Sequence, residues 1–142
     1  LGQSALLAEA FGIEAGEPPP VDLTLEANAA KAFLANRRRI RAARDLGDGG
    51  LALAVFRMAE GAGIGLALKS GEIGQLFGED QARYVVAVRH DDIAAFMAAA
   101  GGVKVTQVGK FGGDRVTFGT ESAPLAELSK LYRTAFAATV GV

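Results

Sequence analysis

The chain has 142 residues, half of them hydrophobic and 22% charged, with a formal net charge of −1. That length and composition suit one globular domain with a sizeable core, and the near-neutral balance gives no reason to expect a nucleic-acid partner. There is no cysteine and only one histidine, His90, so disulfides, thiolate metal sites and multi-histidine metal centres are excluded. No apolar run is long enough to span a bilayer, and the opening residues lack the basic segment of a signal peptide. The chain opens on Leu1-Gly2 rather than Met, and reads as an excised piece of a longer, cytoplasmic protein.

In chain order, "SALLAEAFG" (4–12) predicts a short helix, with Ser4 accepting a backbone N–H at its start and Gly12 ending it. "EAGEPPPVD" (14–22) is a linker, because three consecutive prolines favour an extended path. "LTLEANAAKAFLANRRR" (23–39) has helical spacing, with Leu25, Ala29, Ala32 and Phe33 on one side. Arg37, Arg38 and Arg39 complement the negative end of its dipole; they read as a solvated basic end, with a phosphate contact as the alternative. "IRAARDL" (40–46) is extended and leads into a glycine loop.

"LALAVFRMAEGAG" (51–63) predicts a buried helix with Leu51, Val55, Met58 and Ala59 on one face. "IGLALK" (64–69) suits a strand, "SGEIGQLFGED" (70–80) a loop or short turn, and "RYVVAVR" (83–89) a strong buried strand centred on Val86. "HDDIAAFMAAAGG" (90–102) predicts a helix, and "VKVTQVGKF" (103–111) a strand that hairpins through "GGD" onto "RVTFGT" (115–120). "PLAELSKLYRTAFAATV" (124–140) is a final amphipathic helix with Leu125, Leu128, Leu131 and Tyr132 in its apolar stripe. The order implies an α+β class: helices layered on a mainly antiparallel or mixed sheet, with an ending that looks partly ferredoxin-like.

Two stretches could carry chemistry. In "ARDLGDGGLALA" (43–54), Asp45 and Asp48 sit among Gly47, Gly49 and Gly50 just before a helix. Backbone N–H groups converging in such a turn favour an anion, whereas the two aspartates repel a bare phosphate and favour one bridged by Mg²⁺. The alternative is a plain strand-to-helix turn in which Asp48 caps the helix and the glycines supply left-handed backbone. In "LFGEDQARYVV" (76–86), Glu79 and Asp80 precede a strand, where carboxylates can bind Mg²⁺ or accept ribose hydroxyls, or simply form a solvated turn. Neither GxGxxG nor a P-loop lysine pattern is present. His90 beside Asp91 and Asp92 has no adjacent nucleophile, so no catalytic residue is assigned.

Together and in order, "LGQSALLAEAFG", "ARDLGDGGLALA" and "LFGEDQARYVV" resemble the C-terminal domain of the formylglycinamide ribonucleotide amidotransferase (phosphoribosylformylglycinamidine synthase) family. The family belongs to the aminoimidazole ribonucleotide (AIR) synthase-related superfamily, and the resemblance covers essentially residues 1–142. "PPPVDL" and "LFGED" favour this family over the thiamine-monophosphate kinase and selenophosphate synthetase relatives, which stay as alternatives alongside a stand-alone nucleotide-binding module. The middle motif of the family resembles His-Asp-x-Ser-Asp-Gly-Gly-Leu. Here Arg44 stands at the histidine and Gly47 at the serine, which removes a hydroxyl that touches nucleotide in larger members.

The resemblance implies an AIR synthase C-terminal-domain-like layered sandwich and a parent enzyme of purine biosynthesis. That parent would use ATP to activate an amide oxygen as an iminophosphate, which glutamine-derived ammonia then displaces. It implies Mg²⁺ at Asp45, nucleotide or substrate contacts from Gly47, Asp48, Gly49, Glu79 and Asp80, and catalytic residues elsewhere in the parent. The cofactors would be Mg²⁺ and ATP or ADP, held by the complete enzyme rather than by this piece alone. The partners would be the other synthetase domains and a glutaminase, with dimerisation of the isolated piece through exposed apolar surface, and neither nucleic acid nor membrane.

Overall fold

The computed structural model describes residues 1–69 and 71–141. It is an α+β fold whose strands form one two-stranded sheet and one four-stranded mixed sheet. Two compact units are distinguished: Leu1–Val55 with Glu72–Gln107, and Phe56–Gly71 with Val108–Val142.

The first unit opens with α1 (Ala5–Phe11), capped as its sequence predicts. Ser4 Oγ accepts from Leu7 N–H at 3.4 Å, and Gly12, at φ 64°, closes the last turn onto Ala8 C=O at 3.0 Å. After the proline linker, Asp22 Oδ1 accepts from Thr24 and Leu25 N–H at 2.8 and 3.1 Å and starts α2 (Leu23–Asn36). The inward side of α2 is not the expected one. Leu25 and Phe33 are exposed, and Glu26, Ala29, Ala32 and Asn36 are the more covered positions. Asn36 is fully buried, and its Nδ2 donates to Ala32 C=O (3.1 Å) and to Phe96 C=O (3.2 Å), tying α2 to a helix 60 residues later.

Strand β1 (Ile40–Asp45) then pairs antiparallel with β3 (Tyr84–Val88), from Ile40↔Val88 to Asp45↔Tyr84, with an irregularity between Ile40 and Ala42. The "RYVVAVR" strand is less buried than its composition suggests. Val85 alone is fully covered and Val86 is half-buried, because a two-stranded ribbon shields its faces incompletely. Within "SGEIGQLFGED", residues Ile73–Phe77 form a short helix, α4; Ser70, which opens that stretch, lies outside the described residues. His90–Asp92 make a 3₁₀ turn into α5 (Ile93–Ala98), which ends before Gly101 and Gly102, both at positive φ.

Helix α3 (Gly50–Ala62) begins in the first unit and ends in the second. The second unit carries the four-stranded sheet: β2 (Leu66–Leu68), β4 (Gly109–Phe111), β5 (Arg115–Phe118) and β6 (Glu121–Pro124), in the order β4-β2-β5-β6. The expected hairpin between residues 103–111 and 115–120 is therefore not formed. β2 lies between those strands, antiparallel to β4 and parallel to β5. β4 is also shorter than predicted, since β2 offers only three residues to pair with and Val103 and Val105 fall outside the ladder. Gly65 makes the insertion possible: its N–H donates to Gly113 C=O (2.7 Å), its C=O accepts from Gly112 (2.8 Å), and a Cβ there would fall on the Arg115 backbone. The hairpin that does form joins β5 to β6 through Gly119-Thr120.

α6 (Leu125–Val140) completes this unit, with Leu125 buried and Leu131 largely exposed, so the predicted stripe is only partly covered. Phe56 and Tyr132 meet edge-to-face at 5.4 Å, and Arg57 Nε donates to the Tyr132 hydroxyl at 2.9 Å. Glu60 Oε1 accepts from Arg133 Nε at 2.7 Å and from Ser129 Oγ at 3.3 Å.

Candidate functional site

The two sequence-predicted stretches converge in the first unit. Asp45, Gly47, Asp48, Glu79 and Asp80 all line one open depression of about 370 Å³ at the end of the β1–β3 ribbon. The ribbon itself brings them there: Asp45 faces Tyr84 in the last register pair, and Leu46 N–H extends the ladder to Arg83 C=O at 3.1 Å. The chain then turns through Gly49 and Gly50, at φ 79° and 59°, into α3. A Cβ at Gly50 would lie 2.8 Å from Leu76 C=O oxygen and from Phe77, so both backbone sign and space require glycine there.

Several expectations about individual residues change. Asp48 does not cap α3: it is exposed, its side chain has no hydrogen bond among the described residues, and Gly49 C=O accepts from Leu53 N–H at 3.3 Å. Glu79 is not a free carboxylate. Its Oε1 accepts from Gly49 N–H and from Ala5 N–H, both at 2.9 Å, fastening the glycine loop and the start of α1 together. Gly49 N–H is thereby occupied and does not line the depression. Asp80 pairs with Arg83 at 3.3 Å, and Arg83 also donates to the carbonyls of Gly78 and Gln75, each at 2.9 Å. Arg37, Arg38, Arg39 and His90 lie outside the lining.

Sequence reading missed Glu26. From the first turn of α2 it accepts Ala82 N–H on Oε1 at 2.7 Å and the Tyr84 hydroxyl on Oε2 at 2.9 Å. That bond, then partial burial, and the charges of Glu26 and Asp45 raise the Tyr84 phenol above its ordinary pKa of 10.0. Nothing local signals this role, since the partners lie 56 and 58 residues away.

The electrostatics are one-sided. Glu26, Asp45, Asp48, Glu79 and Asp80 line the depression against Arg83. A bare polyanion is repelled there, and one carrying a divalent cation is not. Asp45 and Asp48 are the carboxylates left without a hydrogen bond or ion pair among the described residues. No group of three or more His, Cys, Asp or Glu side chains able to hold a metal is found among those residues. Among the described residues the depression therefore offers two unpartnered carboxylates and no dedicated protein cage for a metal. No helix among the described residues is long and apolar enough to cross a membrane.

Residues 1–120 match the family model "AIR synthase related protein, C-terminal domain". The chain is 59% identical over 143 aligned positions to phosphoribosylformylglycinamidine synthase subunit PurL of Cereibacter sphaeroides, covering 99% of this chain and 20% of that relative. Its fold is similar to Thermotoga maritima PurL complexed with FGAR (TM-score 0.71, 18% identity, 90% of this chain and 26% of that one). It is similar as well to T. maritima PurL complexed with ATP (TM-score 0.61, 19% identity, 72% and 21%). The chain thus spans about a fifth of the length of the curated relative it matches.

Proposed function

Since the chain belongs to the AIR synthase related C-terminal domain family, we propose that residues 1–142 are the C-terminal domain of a phosphoribosylformylglycinamidine synthase synthetase subunit. The parent would convert formylglycinamide ribonucleotide to formylglycinamidine ribonucleotide in purine biosynthesis, with ATP and ammonia. The 59% identity to a PurL subunit supports this, as does a fold shared with PurL structures solved with FGAR and ATP. In this reading the domain holds no catalytic group and works in the cytoplasm as one wall of a larger enzyme. The remaining synthetase domains and a glutaminase are its partners. Exposed Leu23, Leu25 and Leu34 on α2 suit burial against such a neighbour, and in isolation favour dimerisation.

The depression would take a Mg²⁺–nucleotide. Asp45 would be the metal ligand, with Asp48 and Asp80 at its margin and the Gly47 backbone close to the phosphates. Glu79 would act by fixing Gly49 rather than by touching ligand. The metal would supply the positive charge that a carboxylate-lined site lacks. The observation that carries this reading is the convergence of Asp45, Gly47, Asp48, Glu79 and Asp80 on one depression. A competing reading, a turn that holds no ligand, is favoured by the Glu79–Gly49 bond and by the absence of a hydroxyl at Gly47.

Asp45→Ala in the complete subunit separates the two. Calorimetric titration with Mg²⁺-ADP is expected to show about a tenfold or greater loss of affinity, the consequence of removing a charged metal ligand. Unchanged nucleotide retention would leave the loop as a turn only.

A further inference from the structure

We infer that Glu26 is the positioning residue of this site: one carboxylate that sets both the 79–83 loop and the Tyr84 ring. The loop carries Glu79, Asp80 and Arg83, and it follows a backbone that needs outside support. Ala82 sits at φ 57°, a left-handed conformation that costs a non-glycine residue energy and persists only where its surroundings hold it. The surroundings here are Glu26. Its Oε1 takes the Ala82 N–H at 2.7 Å, and its Oε2 takes the Tyr84 hydroxyl at 2.9 Å, two residues further on. One side chain therefore grips both ends of the turn from the loop into β3. Charge-assisted bonds of this kind are the stronger class.

The consequence reaches the glycine loop. With Ala82 fixed, the preceding residues place Glu79 where its Oε1 accepts from Gly49 at 2.9 Å, beside Asp45 and Asp48. Tyr84 faces Asp45 in the last register pair. Glu26, Tyr84, Asp45 and Glu79 all line the same depression. A role for Glu26 in ligand binding rests on the nucleotide reading above; its hold on the loop does not.

The test uses the protein that carries residues 1–142. Glu26→Ala and Glu26→Gln are compared by amide hydrogen exchange at Ala82 and at Val116, which is buried in the four-stranded sheet of the second unit. Glu26→Ala is expected to speed Ala82 exchange about tenfold or more while leaving Val116 protected. Glu26→Gln keeps an acceptor for Ala82, so it should restore protection there. A merely destabilised fold would speed exchange at both positions and would not split the two variants in this way. Unchanged exchange at Ala82 in Glu26→Ala would overturn the inference. Mg²⁺-ADP titration of the unsubstituted protein runs alongside. Absence of binding there counts against the nucleotide reading, while exchange at Ala82 still decides the role of Glu26.

Discussion

The two units are held by different means. In the second, β2, β5 and β6 form a continuous backbone ladder, and Phe56, Ala59, Leu66, Leu68, Val116 and Leu125 are buried in it. In the first, the ladder is a single pair of strands, and loops and helix ends are fastened by side chains that reach backbone groups: Glu79 to Ala5 and Gly49, Glu26 to Ala82, Asn36 to Phe96. A sheet tolerates the loss of a surface side chain because its backbone bonds remain. A loop held by one carboxylate does not. The candidate site lies in the unit built the second way, where Gly47 and the lining carboxylates stay near the surface instead of being sealed in a core.

The sharpest way to break that contrast is to charge each unit's strand. Val116 is central in the four-stranded sheet and 4% exposed, whereas Val86 in the ribbon is only half-buried. Val116→Asp is expected to cost about 3–5 kcal/mol by burying an unpaired carboxylate. Val86→Asp should cost roughly half of that or less, because water still reaches the ribbon. Denaturant unfolding of both variants checks the order. Equal losses would mean that the ribbon is as well sealed as the sheet.

A smaller effect is expected at the turn into α3. Gly50→Ala combines a φ of 59° with a Cβ 2.8 Å from the Leu76 and Phe77 backbone. It should cost about 1–3 kcal/mol. Gly47→Ala, with open space and no positive φ, should be close to neutral, within about 0.5 kcal/mol. Thermal unfolding of the pair distinguishes a loop shaped by its contacts from one in which any glycine is interchangeable.

Much of this architecture is legible locally. Ser4 and Gly12 bracket α1 as their side chain and backbone require, and the apolar spacing of residues 51–63 marks α3 to within a residue. What local pattern does not encode is partnership. "GGD" signals a turn equally well whichever strand follows, so the insertion of β2 between β4 and β5 was invisible, and the hairpin fell instead at Gly119-Thr120. The site divides along the same line. Asp45, Gly47, Asp48, Glu79 and Asp80 stand in two short motifs, and folding brings both motifs to one depression. Glu26 looks like an ordinary first-turn acid of α2 until folding brings Ala82 and Tyr84 to it across more than fifty residues. Aspartate and glutamate are also interchangeable signals at the level of motif, so the motif does not show that Glu79 reaches two backbone N–H groups with Oε1.

The finest test of the contrast is the alkaline limb of stability. Tyr84 in the ribbon donates to Glu26, and its phenol is raised above 10.0 in the folded chain. The folded state therefore holds this proton to higher pH than the unfolded chain does. Its contribution is fully present below the unfolded phenol's pKa and is lost as pH climbs through the folded value, because ionised Tyr84 can no longer donate and repels Glu26 and Asp45. Tyr84 is also 49% exposed, so solvent screens much of the effect and a shallow slope is expected. Tyr84→Phe should flatten the decline in stability above pH 10 relative to the unmodified chain. Glu26→Gln should flatten it as well, since the Glu26 acceptor and charge are gone and only burial and the charge of Asp45 still raise the phenol. Chemical denaturation at a series of alkaline pH values reads both. A decline of equal steepness in all three chains would place the alkaline weakness outside the ribbon, and the carboxylate-held loop would then owe its geometry to the Glu26–Ala82 bond, without the phenol.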